Sequence, residues 1–229
     1  MTDLHKQELI EGFKLVSTSN ISDALDRLGI PSFLTDIGGL WAACPKIVGT
    51  AMTLRLGPLD DSTKNNSTVV IGTLQAIIDA NAGDVLVIDM QGRLDLNAFG
   101  GVAGATCKHH ELAGVVIDGK SRDIDEFKTL GLPVFGKGFV HQSVRGRVGY
   151  VGHNISVKLG ANDVHPGDYI IGDENGVVVV PSARAREVLD IAEFVKRTED
   201  KVIAAIRANE DPIAAHEAVR YDDLLKAAQ

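Results

Sequence analysis

Residues 83–89, Gly-Asp-Val-Leu-Val-Ile-Asp, decide the fold. A strand with one wet face alternates apolar and polar side chains. This run is apolar without a break between two acids, so it is a strand covered on both faces. Working outward, Gly101 to Leu112 reads as a helix, Gly114 to Ile117 as a second buried strand, Asp123 to Leu130 as a short helix and Leu132 to Phe135 as a third strand. Strands and helices alternating at this pace predict a βαβαβ unit in a parallel or mixed sheet.

On the N-terminal side, Lys46 to Leu56 alternates and predicts a strand, Gly57 to Ser67 is a polar loop, and Thr68 to Ala82 predicts a helix. Before them lie the end of a helix at Leu9 to Val16, a helix at Ile21 to Leu28 capped by Ser19 or Asn20 and stopped by Gly29, and a loop from Pro31 to Pro45. On the C-terminal side, Val157, Tyr169 to Ile171 and Val177 to Val180 belong to strands of a turn-rich section punctuated by His165-Pro166-Gly167 and Asn175-Gly176. One long helix is predicted over Ser182 to Ala208 with Ser182 as its cap, and a last one over Tyr221 to Ala227.

Composition narrows the function classes. The chain has 229 residues, 45% of them hydrophobic, enough for a full core, and a formal net charge of −8. That charge opposes binding to a phosphate backbone, which requires a basic patch, so no nucleic-acid partner is expected. The two cysteines, Cys44 and Cys107, have no CxxC spacing and read as small buried apolar groups in a reducing compartment. The sequence has neither a signal-peptide core nor an 18-residue apolar run, which predicts a cytoplasmic chain with no membrane partner.

Two short motifs could carry chemistry. Gly100-Gly101 stands between a strand-end loop and a helix start, where bare backbone and unpaired N–H groups suit a carboxylate or phosphate. A plain tight turn explains the same residues. Arg122-Asp123 follows the strand Gly114 to Ile117, at a strand C-terminal end, where ligand crevices of α/β folds form. Arg122 could grip a carboxylate through paired donors, and Asp123 could hold a hard divalent cation. Equally, Asp123 with Glu126 fits a D-x-x-E capping box. His109-His110-Glu111 is not HExxH, and adjacent helical histidines diverge by about 100°. GxSxG, P-loop and dinucleotide glycine fingerprints do not occur.

These residues resemble the RraA-like family, which contains 4-hydroxy-4-methyl-2-oxoglutarate/4-carboxy-4-hydroxy-2-oxoadipate aldolases and the regulators of ribonuclease activity A. The family pattern is a GDVLV-D strand, a glycine, twenty residues, and R-D-x-x-D/E. Here it reads Gly83 to Asp89, Gly101, then Arg122-Asp123-Ile124-Asp125-Glu126. Ala113 to Gly119, Leu132 to Phe135, Pro166-Gly167-Asp168 and Asn175 to Pro181 are also similar, so the resemblance spans roughly residues 17 to 205. It departs in Gly57 to Ser67 and after Asn209.

The resemblance implies one α/β domain over residues 1–208, with a central β-barrel-like mixed sheet flanked by helices and a long C-terminal helix, followed by a helical tail over 209–229. It implies a homo-oligomer, trimer or hexamer. It makes Gly100, Gly101, Val102 and Ala103, with Arg122, the substrate-binding set, Arg122 and Asp123 the catalytic pair, and Asp123 the one direct ligand to Mg²⁺ or Mn²⁺. The implied activity is a class II, metal-dependent pyruvate aldolase acting on small 4-hydroxy-2-oxo acids, with oxaloacetate decarboxylation by the same residues. No Schiff-base lysine is required; Lys137 faces either the site or solvent, and Glu193 or Glu199 could reach a neighbouring subunit. A non-catalytic regulator that binds an RNA-degrading enzyme is the alternative. A menaquinone methyltransferase, an older reading of the family, lacks a glycine-rich nucleotide loop here.

Overall fold

The computed structural model describes residues 3–31, 34, 36–64 and 68–220. The final helix expected over 221–227 lies outside them. The chain divides into two compact units, Met1–Ser32 with Ala183–Gln229, and Phe33–Ser182.

In the first unit, α1 (Asp3–Leu15) and α2 (Thr18–Arg27) precede the barrel in sequence, while α6 (Ala185–Arg207) and α7 (Pro212–Ala218) follow it. The cap of α2 is Ser17, not Ser19 or Asn20: its hydroxyl accepts from the Asn20 amide at 3.1 Å while Asn20 Oδ1 accepts from the Ser17 amide at 3.3 Å. This reciprocal box is stronger than a single-sided cap, and it draws the helix start forward. Ser182 does not cap α6. It begins a 3₁₀ turn, Ser182–Arg184, that leads into the helix. The buried stripe of α6, including Val188, Leu189, Ala192 and Val195, recurs at helical spacing. Asn20 donates to Glu199 at 2.6 Å, which ties α2 to α6.

The second unit holds a mixed eight-stranded sheet, a separate two-stranded hairpin and, among the described residues, three helices. Its strands are β1 (Gly38–Gly39), β2 (Ile47–Pro58), β3 (Val85–Asp89), β4 (Gly114–Asp118), β5 (Val134–Gly136), β6 (Val148–His153), β7 (Val157–Leu159), β8 (Asn162–Val164), β9 (Tyr169–Asp173) and β10 (Gly176–Val180). The helices are α3 (Val69–Ile78), α4 (Gly101–His109) and α5 (Ile124–Leu130). The order is β1-β5-β4-β3-β2-β9-β10, with β6 also on β2. β2 through β5 are parallel, as the βαβαβ pattern requires; β9, β10, β6 and β1 join antiparallel. The two edges nearly meet: a Cβ on Gly176, which opens β10, would lie 3.4 Å from the Ile37 carbonyl beside β1. The fold is therefore the expected α/β one, a barrel-like mixed sheet with helices and a long C-terminal helix.

Alternate residues of each strand supply two cores. Val85, Val87 and Val116 face the barrel interior with Phe135, Ile170 and Val179. Leu86, Ile88, Val115 and Ile117 face the helices, against Ala76, Cys107 and Phe127. A run covered on both faces is what the unbroken apolar sequence predicted. Burial pushes the Cys107 thiol well above its ordinary range, so it is an inert packing group.

Charge closes one end of the interior. Arg55 Nε reaches Asp89 Oδ2 at 3.0 Å, and Lys137 Nζ reaches Asp118 Oδ1 at 2.5 Å. The β7–β8 hairpin covers them, donating its Lys158 and Gly160 amides to the same two acids at 3.0 and 3.1 Å. Removing one member would strand a buried charge, at a cost of about 3–5 kcal/mol. On the helix side, Gly72 of α3 lies so close under Tyr150 that a Cβ would overlap the ring. Tyr150 shares a hydrogen bond with His153 Nδ1 at 2.6 Å, and His153 Nε2 with Asp79 at 2.9 Å, which fixes α3 against β6.

Candidate functional site

The site lies where β3 and β4 end. Their exit loops and the one that leaves β5 are stitched together by backbone bonds: Asn97 N–H to the Gln142 carbonyl at 2.8 Å, Ala98 to Lys120 at 2.8 Å, Ser121 to Gly138 at 3.0 Å and Val140 to Ser121 at 2.8 Å. The Phe99 carbonyl gathers three donors, the Ser121 hydroxyl at 2.8 Å, the Arg122 amide at 3.2 Å and Asn97 Nδ2 at 3.3 Å. Gly100 and Arg122, 22 residues apart in sequence, are thereby held to one carbonyl.

Asp123 completes the link. Its carboxylate does not cap α5, although it stands at the N-terminal position of that helix. Instead Oδ2 accepts from the Gly101 amide at 2.8 Å, which joins it to the glycine motif. The capping box is absent: Glu126 donates its amide to the Asp123 backbone carbonyl at 3.1 Å. The turn that aims the side chain away from α5 puts Asp123 in the left-handed region, φ 61°. Oδ1 has no donor among the described residues. The glycine pair has a steric reason. A Cβ on Gly100 would come 2.8 Å from Asp123 Oδ2, and one on Gly101 would overlap the Glu126 carboxylate.

A cleft of about 90 Å³ is lined by Gly100, Gly101, Val102, Ala103, Arg122 and Asp123, with the start of α3 and residues 143–145 as its other walls. One water needs about 10–15 Å³ by the same measure, so a small acid with attendant waters fits. Every substrate-binding and metal residue expected from the sequence lines this one cleft. Two polar atoms beside it are buried without a hydrogen-bond partner among the described residues, Asn97 Oδ1 and Arg122 Nε. Arg122 Nε lies 3.4 Å from Asp123 Oδ2, a charge contact too poorly aligned to count as a hydrogen bond. The start of α4 adds the positive end of its dipole and the amides of Val102 and Ala103. Lys137 is not part of the cleft, because Asp118 holds it. Glu199 is engaged by Asn20, and Glu193 lies 3.4 Å from Arg197. His109 and His110 meet edge to face, and among the described residues no group of three or more His, Cys, Asp or Glu could hold a metal.

The match between the two motifs and a single cleft extends to the whole barrel. The profile of the RraA-like family, described as Aldolase/RraA, matches residues 18–179. The chain belongs to the RraA-like family. A protein of Halalkalibacterium halodurans, provisionally named 4-hydroxy-4-methyl-2-oxoglutarate aldolase, is 31% identical over 209 residues, 91% of this chain and 93% of that one. An uncharacterized protein from Pseudomonas syringae pv. tomato has the same fold with a TM-score of 0.81 and 28% identity, covering 92% of this chain and 97% of its own. Streptomyces coelicolor RraAS2, described as an unusual member of the RNase ES inhibitor RraA family, superimposes with a TM-score of 0.73 and 27% identity over 84% and 94% of the two chains. The chain spans a third of the length of a longer relative, Protein DlpA of Legionella pneumophila, at 29% identity over 90% of this chain. Among the described residues, no helix of this RraA-like chain is long and apolar enough to cross a membrane.

Three contributors to the cleft were not visible in the sequence. Asn97 and Arg145 sit in loops with no periodicity to mark them, and the Val69-Val70 wall reads as an ordinary helix start.

Proposed function

We propose that the chain is a divalent-metal-dependent lyase that cleaves 4-hydroxy-2-oxo acids, such as 4-hydroxy-4-methyl-2-oxoglutarate, to pyruvate, and decarboxylates oxaloacetate at the same site. The observation that carries this is the convergence of Asp123, Arg122 and the start of α4 on one small cleft. The donor set fits Mg²⁺ or Mn²⁺: a single carboxylate with a free oxygen, beside room for waters, is the usual holding of a hard, water-rich cation. When bound, that ion supplies Lewis-acid polarisation of the 2-oxo group. The Val102 and Ala103 amides, with the α4 dipole, hold the substrate carboxylate. Arg122 faces the oxygen that gains charge as the C3–C4 bond breaks and its electron pair passes into the enolate. The C4 hydroxyl loses its proton to become the second carbonyl, and C3 gains one to give pyruvate. Among the described residues lining the cleft there is no lysine, so a Schiff-base route has no nucleophile.

The likeness to RraAS2 supports a second reading, a non-catalytic regulator of an RNA-degrading enzyme. Two measurements separate them. Pyruvate release from a panel of 4-hydroxy-2-oxo acids and oxaloacetate is expected only with Mg²⁺ or Mn²⁺ present, and calorimetry is expected to show metal-linked binding of oxalate, a mimic of the pyruvate enolate. Neither occurring would leave the regulator.

We also propose a homo-oligomer, a trimer or hexamer. Val102 on the cleft rim is 65% exposed, and Phe139, beside the shallow depression on the other side of Arg122 and Asp123, is 69% exposed. Large apolar side chains left bare beside a site are common at subunit contacts. Light scattering is expected to give a multiple of the 24.4 kDa chain; a stable monomer at micromolar concentration would overturn this.

A further inference from the structure

Past Val69 and Val70 lies a second, larger cavity of about 370 Å³, whose walls include Leu59, Thr63, Thr68 and Val148. Val69, Val70 and Arg145 line both it and the cleft. Arg145 is exposed, and its backbone amide is held by Ser143 Oγ at 3.2 Å. Among the described residues its guanidinium has no acceptor and no ion pair. Nearby cations differ in this respect. Arg147 donates to the Ser143 carbonyl at 3.0 Å, Arg93 pairs with Asp95 at 2.8 Å, and Lys64 pairs with Asp61 at 2.6 Å. The threonine hydroxyls are engaged too. Thr63 donates to the Pro58 carbonyl at 2.6 Å and Thr68 accepts from the Ile71 amide at 3.3 Å. Of the two cations that line this cavity, Lys64 is paired, and Arg145 is the one whose guanidinium has no acceptor among the described residues.

We propose that Arg145 is a specificity residue that grips the distal carboxylate of the substrate, whose aliphatic arm passes Val69 and Val70 into the larger cavity. The inference rests on the lyase reading above, whose substrates carry that second carboxylate, and assigns the residue that selects them over monocarboxylic 2-oxo acids. A lone guanidinium matches one carboxylate in a fork.

The test compares 2-oxoglutarate with 2-oxopentanoate, which share the 2-oxo acid head and five-carbon chain and differ in the carboxylate at C5. By calorimetry with Mg²⁺, wild type should bind 2-oxoglutarate about tenfold more tightly, the lower end for a charged hydrogen bond because Arg145 is exposed. Arg145→Gln should bring the two ligands to equal affinity, with oxalate binding and melting temperature unchanged. Arg145→Lys should recover part of the preference. A preference that persists in Arg145→Gln, or is absent from wild type that binds oxalate, overturns the role of Arg145 alone. So does an equal loss for oxalate, which would put Arg145 at the head of the substrate. Wild type that binds no oxalate with metal overturns the lyase reading and this proposal with it.

Discussion

Asp123→Asn is expected to abolish metal-dependent pyruvate release, by about three orders of magnitude or more, while leaving the melting temperature unchanged. The two halves of this prediction come from different atoms. A hard cation needs the formal charge of a carboxylate, and losing several kcal/mol of charge stabilisation corresponds to a loss of that size. The structural duties of the side chain survive the change. Asparagine keeps an oxygen that accepts from the Gly101 amide, now held at 2.8 Å, and it is among the residues most at ease at φ 61°. Activity retained alongside a lowered melting temperature would make Asp123 a structural clasp between α4 and α5 and nothing more.

Arg122→Lys comes second, with kcat/KM expected to fall roughly a hundredfold, about 3 kcal/mol of transition-state stabilisation. Lysine preserves the charge but not the planar fork, and it has no counterpart to the buried Nε that now lacks a partner. If Arg122 acts on the oxygen that develops charge, kcat should fall with kcat/KM. Oxalate, which presents that oxygen already charged, should bind the variant much less tightly. A rise in KM alone would assign Arg122 to ordinary substrate binding. Melting should barely change, since the side chain is 31% exposed and none of its nitrogens ties two elements together.

The central parallel strands were legible in the sequence because their burial is uniform along the strand. Val85 to Ile88 and Gly114 to Ile117 announce themselves because both faces are covered and no polar residue interrupts them. β6 was not legible. Its six residues, Val148 to His153, pass from buried to exposed, so they present neither an unbroken run nor a clean alternation. β1 is two glycines, and its pairing with β5 depends on a partner almost a hundred residues away. The site shows the same division. The glycines and the Arg-Asp pair stood out by type and by their spacing within the family pattern, but the partner of the Asp123 carboxylate did not. The local pattern offered Glu126 and the start of α5, whereas the fold delivers the Gly101 amide, 22 residues back. A contact made by tertiary closure leaves no local trace, and for the same reason the exposed Arg145 carries none.

The left-handed backbone at Asp123 also bears on how a catalyst and a regulator could share this barrel. Most side chains at that position would strain the turn joining β4 to α5, and with it the bond that clasps Gly101. Asparagine would not, and it lies one base change from an aspartate codon. On the lyase reading, a lineage could therefore shed its chemistry at this position without first endangering its architecture. A relative that has given up catalysis by this route should carry asparagine at the position equivalent to 123, on an otherwise undisturbed scaffold.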